Sequence, residues 1–427
     1  MEWTGARYAD KPTVEVRTWI DAPPARVWEV VSDIELMPAM SSELQSVEWL
    51  DGADRQGVGA RFLGRSRHEA LGEWEATSYV VEFEPERVFG WAVGDSASPS
   101  ARWRFRLEPK DGGTGLSEWV QLGPARSGLS FAIDQMPDKE QKIVFVRMRE
   151  FERNMAATLE HIKTLAEFSA AWQAWHAGQQ ARLADPHGFL AITSIHWLTE
   201  TPERFDDAPG AWRTGPDGVT VELAGDEELV IDGAAVRGRH SFGVIPERGG
   251  VNAIWGDAVI EVAKRGGYDI VRPRHPDTPL RLQFAGTPAY PPHPRWSVTG
   301  RYVPFDEPRP TTVGAAVDGL QHVYDAPGRI EFELDGQPLS LTAFPGHGPG
   351  SLMVLFTDAT SGVTTYAANR VLRVAAPGPD GLVALDFNRA ANLPCAYTDL
   401  ATCPLPPPEN RLPVAIEAGE KIPAGRR

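Results

Sequence analysis

Residues 13–40 read TVEVRTWIDAPPARVWEVVSDIELMPAM, and this stretch decides the fold of the first part of the chain. Val14, Val16, Thr18 and Ile20 alternate with Glu15, Arg17 and Trp19, the period-two pattern of a half-buried strand. Asp21-Ala-Pro-Pro then predicts a helix start, with Asp21 or a neighbour as cap and proline suited to the first helical positions. Val27, Trp28, Val30, Val31 and Ile34 form the apolar stripe of that helix, and a shorter helical piece is expected at 38–44.

Beyond this stretch, strands are expected at 45–50, 57–65, 73–83, 87–93, 101–108 and 116–123, separated by the turn signals DGADRQG, EPER, DSASPS and KDGGTG. A long amphipathic helix closes the region, with Val144, Met148, Phe151, Met155, Leu159 and Ile162 on one face. This order implies a curved antiparallel sheet wrapped round one long helix, with a cavity between them. IDAPPARVWEVVSDIELMPAM, the strand run and the closing helix together resemble the START and polyketide-cyclase-like superfamily (SRPBCC, the helix-grip fold) over residues 10–165. The resemblance implies a hydrophobic ligand in the cavity and, in some members, cyclase, dehydratase or hydrolase chemistry.

Strand parity suggests the cavity wall. Trp103 and Phe105 share a face while Arg102, Arg104 and Arg106 take the other; Phe89 and Trp91 share a face on the preceding strand. On 116–122 the apolar parity is Leu116, Val120 and Leu122, and Glu118 falls among them. A carboxylate with apolar neighbours has a raised pKa and suits an acid, a base or a ligand anchor. Two readings of Glu118 stand: a cavity group, or a structural residue turned outward by a register break or bulge, or paired with an arginine. His68, beside Arg65 and Arg67, reads as a surface or rim histidine, with a catalytic base as the alternative.

Residues 156–184 stay helix-compatible, so the closing helix runs on, or breaks briefly and restarts, into a second domain at 166–427. Such a connection is expected to hold the domains more firmly than a flexible tether. The rest is rich in short strand-like segments, PLRLQFAG and VTTYAANRVLRVAA among them, punctuated by Gly, Pro and Asp. That pattern argues for a mostly-β sandwich or barrel-like domain. The expected class of the whole chain is α+β.

The marks GFLA…WL, TxxY…R and DFN…PCA…TCPLPPPENRLPVAIEAGE resemble an uncharacterised bacterial family catalogued only as a domain of unknown function. This chain has Ala391 and Leu393 where that pattern has Tyr and Pro, Asn369 where it has Gly, and His275 where it has an acid. Within this part, Arg265, Arg272, Arg274, Arg370, Asp386, Asn388, Asn410 and Arg411 form a candidate polar site if they converge. The alternative is that Asp386, Asn388 and Asn410 cap turns and satisfy loop backbone. Cys395 and Cys403 belong to the same candidate set, as inert buried thiols, a disulfide pair or a nucleophile; two thiols without neighbouring ligands make a poor zinc site.

Composition narrows the classes. A formal charge of −16 makes nucleic acid an unexpected partner. The first residues, MEWTGARYADKP, hold no apolar run, so no signal peptide is expected; no stretch approaches the length that spans a bilayer, and two cysteines fit a reducing cytoplasm. There is no Walker loop, dinucleotide fingerprint, HExxH or GxSxG, and neither metal nor cofactor is expected. The expected function is binding of a small hydrophobic or aromatic metabolite in the helix-grip cavity, with a polar-ligand site in the β domain. The alternatives are enzyme chemistry on a polyketide-like or aromatic substrate in the cavity, or on an anionic substrate in the β domain. The oligomeric state is left open.

Overall fold

The structure, a computed structural model, describes residues 2–50 and 57–426; most of the DGADRQG turn lies outside them. Packing divides the chain into two units, Met1–Ala171 and Trp172–Arg427. The class is α+β.

In the first unit the elements are β1 (Thr13–Ile20), α1 (Pro24–Val31), α2 (Met37–Met40), β2 (Leu44–Trp49), β3 (Arg61–His68), β4 (Gly72–Glu84), β5 (Val88–Val93), β6 (Ala101–Lys110) and β7 (Gly113–Leu122). A short helix α3 (Gly128–Gln135) and the long helix α4 (Glu140–Leu183) follow. The strands form one antiparallel sheet in the order β1-β7-β6-β5-β4-β3-β2. Only the first strand is out of sequence order, because β1 pairs with β7 from Thr13–Gln121 to Ile20–Thr114. Asp21 does not cap α1. Pro23, in extended conformation, is the cap residue without a side-chain bond, and Pro24 sets the first helical φ. The Asp21 N–H instead donates to Glu167 Oε1 at 2.9 Å. The second helical piece ends at Met40, since Leu44 already pairs with Ser66 in the sheet.

The apolar stripe of α4 is buried throughout. Its first half (Val144, Met148, Met155) packs on Val14, Val120 and Leu122. Leu159 and Ile162 join Ile20, Val27, Val31, Ile34, Phe62, Phe89 and Leu116. The periodicity ends at no Gly or Pro, and α4 runs unbroken to Leu183.

One hairpin position shows how tightly β1 and β7 close. A Cβ on Gly113 would lie 2.3 Å from the carbonyl oxygen of Ile20 and 2.9 Å from the Trp19 ring. Gly113→Ala is therefore expected to destabilise the unit by about 1–3 kcal/mol, the cost of overpacking a closed site. A thermal midpoint equal to that of the wild type would contradict it.

The second unit is strand-rich, and all its ladder pairs among the described residues are antiparallel. Its first part holds β8 (His196–Trp197), β9 (Glu203–Phe205), β10 (Ala208–Gly215), β11 (Gly218–Glu222), β12 (Leu229–Ile231), β13 (Ala234–Val236), β14 (Arg239–Gly243), β15 (Gly250–Trp255), β16 (Ala258–Arg265) and β17 (Tyr268–Arg274). These make two sheets, β14-β11-β10-β9 and β13-β12-β15-β16-β17-β8, packed about Trp212, Ile260, Val262 and Val271. After a helical turn α5 (Pro279–Leu282) come β18 (Ser297–Gly314), β19 (Gln321–Leu334), β20 (Gln337–Pro345), β21 (Leu352–Phe356), β22 (Arg370–Val374) and β23 (Leu382–Asp386), in the order β22-β21-β20-β19-β18-β23.

Two strand expectations fail here. PLRLQFAG alternates, but Pro279 starts a helical turn, and Arg281 spends its guanidinium on the carbonyls of Ala184 and Pro276. The VTTYAAN half of the other segment is loop, held by Thr365 and Thr360 hydroxyls 2.8 Å apart; the strand begins only at Arg370. Among the described residues no helix is long and apolar enough to cross a membrane.

Candidate functional site

The first unit encloses a cavity of about 470 Å³, within the usual range for small-molecule sites. Its walls come from three sources. The sheet supplies Phe62, Ser78, Trp91, Trp103, Phe105 and Glu118; α1, α2 and the turn after them supply Val31, Met37, Met40 and Glu43; α4 supplies Arg147, Phe151, Asn154 and Met155. Trp91 and Trp103 sit opposite each other in register and stack, with ring centroids 6.2 Å apart and planes 8° from parallel. Phe151 meets Trp103 edge-on at 5.2 Å. Such a wall offers flat apolar faces to a ligand.

Phe89 and Val120 are not part of that wall, contrary to the sequence expectation. Both point inward, as their parity requires, but both are fully buried in side-chain contacts. Phe89 lies against Phe83 and Trp91, and Val120 lies under Met148 and Met155. Parity separates the inner face of a sheet from the outer one. It does not separate the part of the inner face that a helix covers from the part left open.

Glu118 lies on β7 between Val16 on β1 and Phe105 on β6. Neither neighbour offers a hydrogen-bond donor, and Glu118 Oε2 is buried without a partner. Burial alone pushes the carboxyl up from 4.5 to about 8. At neutral pH Glu118 therefore carries its proton into an aromatic-walled space. The bulge that would turn it outward does not occur: the ladder from Lys110–Gly113 to Ala101–Leu122 is unbroken.

A second polar group lines the same cavity. Arg147 holds Glu43 in a two-point contact, both bonds 2.7 Å, and Asn154 Nδ2 donates to Glu43 Oε1 at 3.1 Å. The Arg147 guanidinium also lies 4.2 Å from the Phe151 ring and pairs with Glu150. Burial pulls the Arg147 pKa down, but the bonds and charge of Glu43 and Glu150 outweigh it and leave it raised. The sequence reading missed this group, although one signal was available. Arg147 and Asn154 stand three residues after Val144 and Phe151, inside the helix stripe that should be apolar. His68 sits 3.5 Å from Glu150 through Nε2.

The polar residues singled out in the second unit do not converge on one pocket. Arg265, Arg272 and Arg274 gather round Glu261. Arg370 pairs with Asp358 and donates to the carbonyls of Ile416 and Ala418. Asn388 exchanges two bonds with the His293 backbone, at 2.9 and 3.0 Å, while Asp386 accepts the Asn388 N–H and pairs with Arg389. Asn410 ties two strands together through Thr342 N–H, Thr342 C=O and Leu355 C=O. Arg411 is exposed and only its backbone bridges to Thr357. Apart from the arginines round Glu261 and the exposed Arg411, these side chains mainly satisfy local backbone groups, which is why they scatter instead of meeting. Cys395 and Cys403 are buried free thiols in contact, with the Cys395 N–H 3.3 Å from Cys403 Sγ.

A Ser194–His196–Asp207 group, also missed, has the residue types of a hydrolytic triad but not its geometry. Ser194 Oγ and Asp207 Oδ1 both meet the same ring nitrogen, Nε2, at 2.6 and 2.8 Å. A triad needs the carboxylate on the other nitrogen, so that the ring can pass a proton from one side while held on the other.

With the geometry in place, comparison with known proteins gives two matches along the chain. Residues 11–167 match the family described as polyketide cyclase / dehydrase and lipid transport. Residues 282–421 match the family described as protein of unknown function (DUF1684). Among solved structures, an uncharacterized protein of Haloarcula marismortui is 32% identical, covering 33% of this chain and 78% of its own, with a TM-score of 0.29. A polyketide-cyclase-like protein of Corynebacterium glutamicum is 31% identical, covering 36% of this chain and 91% of its own, with a TM-score of 0.29. No curated protein matches.

Proposed function

We propose that the first unit, whose residues 11–167 match the polyketide cyclase / dehydrase and lipid transport family, binds a small hydrophobic or aromatic metabolite bearing a hydrogen-bond acceptor. One observation carries the reading: a protonated Glu118 with an unpartnered oxygen in a cavity lined by Trp91, Trp103 and Phe105. A buried donor without a partner costs free energy, and a ligand carbonyl or ether oxygen restores the missing bond. The aromatic walls supply most of the affinity and Glu118 sets the orientation.

Native mass spectrometry of the purified protein tests for a co-purified ligand. A direct binding test uses the neutral aromatic ketone 2-acetylnaphthalene in isothermal titration calorimetry. Ser78 lies in the cavity wall, and Ser78→Phe fills the space the ligand needs. It is expected to weaken binding by about tenfold or more, whereas Glu118→Gln, which keeps a donor, stays within about threefold of the wild type. Undiminished binding by Ser78→Phe would place the ligand elsewhere.

A specific observation also favours a second reading, proton-transfer chemistry on a polyketide-like or aromatic substrate. The cavity holds two polar groups of different kind, the neutral acid Glu118 and the Arg147–Glu43–Asn154 set. A carboxyl titrating near 8 can give a proton at neutral pH and take it back. Under this reading Glu118→Gln binds but does not turn over, and unchanged turnover sinks it.

A further inference from the structure

We infer that the second unit carries an anion site, distinct from the cavity, at the arginine cluster of the β16–β17 hairpin, and that its ligand is a small dianion such as a phosphate monoester or a dicarboxylate. The hairpin register places Glu261 opposite Arg272, so the two share a face. Arg274, two residues on from Arg272, and Arg265, four on from Glu261, fall on that face too. The other face carries Ile260, Val262 and Val271 into the core. Every charged group on this hairpin face other than Glu261 is thus an arginine.

Charge does not balance there. Arg265 reaches Glu261 Oε1 at 3.0 Å, Arg272 takes both carboxylate oxygens, and Arg274 Nη2 bonds Oε2. One carboxylate serves three guanidiniums, leaving a net charge of +2 in the cluster. Burial raises the Glu261 pKa, but the charges and bonds of Arg272 and Arg274 outweigh it and hold it low, so it stays ionised and takes no further share. The remaining bonds of Arg265 and Arg274 go to neutral carbonyls, of Gly249, Lys264 and His187. Arg274 Nε is buried with no partner. Uncompensated buried charge is costly, and guanidinium forks match carboxylate and phosphate oxygens in two-point contacts.

The cluster is built as a site rather than sealed as a core. Arg272 is the floor, its side chain 3% exposed, and Phe189 lies across Arg272 and Arg274 with its centroid 5.4 and 5.2 Å from their guanidinium carbons. Arg265 and Arg274 remain 17% and 16% exposed, which leaves them within reach of a ligand from solvent. Buried polar atoms left without partners also occur on β19, which begins beside Gly266, and just before β22. Gly266, next to Arg265, packs on Leu320 and the Gln321 carbonyl, and the following residue is His322. His322 Nε2 meets the Thr402 carbonyl and Asn369 Nδ2 donates to the Pro404 carbonyl, one on each side of Cys403. His322 Nδ1 and Asn369 Oδ1 are both buried without a partner. Arg272 acts on the Cys403 thiol and lowers its pKa, although the Cys395 hydrogen bond and burial raise it overall.

The test uses the full chain and two probes, inorganic phosphate and succinate, against sodium chloride at matched ionic strength. At about ten times its dissociation constant, a ligand specific to the folded state raises the thermal midpoint by about 3 °C. We expect such a rise with at least one probe in the wild type and its loss in Arg265→Gln, which still leaves Glu261 two guanidiniums and so preserves the hairpin. Response to phosphate alone assigns a phosphoryl ligand; response to succinate alone assigns a dicarboxylate; response to both assigns oxyanion recognition by charge and fork geometry. No response to either probe beyond the chloride control overturns the site, as does an undiminished response in Arg265→Gln. Both outcomes are independent of 2-acetylnaphthalene binding in the first unit.

Discussion

Replacing Arg370 by methionine is expected to destabilise the protein by about 3–5 kcal/mol, the usual cost of removing one partner from a buried ion pair. The Arg370 and Asp358 side chains are 1% and 0% exposed. Asp358 Oδ2 faces the guanidinium, while Oδ1 accepts from the Thr360 N–H at 2.6 Å and its hydroxyl. Methionine matches the length of the arginine stem but leaves the Asp358 side chain in the core with two of its three bonds and no opposite charge. The Ile416 and Ala418 carbonyls lose their donor in the same step, so the C-terminal segment loosens with the loop at 358–365. Urea denaturation measures the loss. Asp358→Asn added to the variant should recover part of it, because the pair is coupled and the two changes are not additive. A loss below about 1 kcal/mol, the level of an exposed pair, would show that the site is wetter than its burial indicates.

The second large effect is a pH dependence from Glu118. Its folded value of about 8 lies above the ordinary 4.5, through burial. Between those values the native protein keeps a proton that the unfolded chain has released. Stability then falls as pH rises, by up to about 1.4 kcal/mol per unit. The contribution is fully present below pH 4.5 and gone above pH 8. Glu118→Gln has no proton to lose, so its stability relative to the wild type should grow by roughly 4 kcal/mol between pH 5 and pH 9. Urea midpoints of the two proteins across that range give the difference directly. A difference independent of pH would mean that the carboxyl is not held neutral in the folded state. The same titration bears on binding: above pH 8 an ionised Glu118 offers no proton to a ligand acceptor, and affinity for 2-acetylnaphthalene should fall there in the wild type but not in Glu118→Gln.

Much of the first unit was legible because its signals are local. The alternation of residues 13–20, the proline-led helix start and the stripe from Val144 to Ile162 each depend on one element and a period. Glu118 was legible for the same reason, as a charged residue on the apolar parity of its strand. Arg147 carried a comparable signal and was passed over because the stripe was read for its hydrophobic members alone. The second unit was harder. PLRLQFAG alternates like a strand, yet a single proline at a helix start and the two carbonyls that Arg281 finds decide it as a helical turn. The polar residues of the terminal segment were visible as types, but their partners were not. Asn388 answers to His293, Asn410 to Thr342 and Leu355, and Arg370 to Asp358 and the last carbonyls.

The sequence by itself determined the element order, the class and the inward faces of the first sheet, because side-chain direction follows from backbone period. Prolines and paired Asn and Asp also mark the stretch after Asp386 as irregular, although residues 384–386, just before it, close β23 against β18. Only the tertiary structure decided which inward residues border open space, because that depends on where α4 and α2 leave the sheet uncovered. It alone decided that three arginines share Glu261 while Arg370 does not join them, because buried charge is settled by whichever opposite group packing brings near.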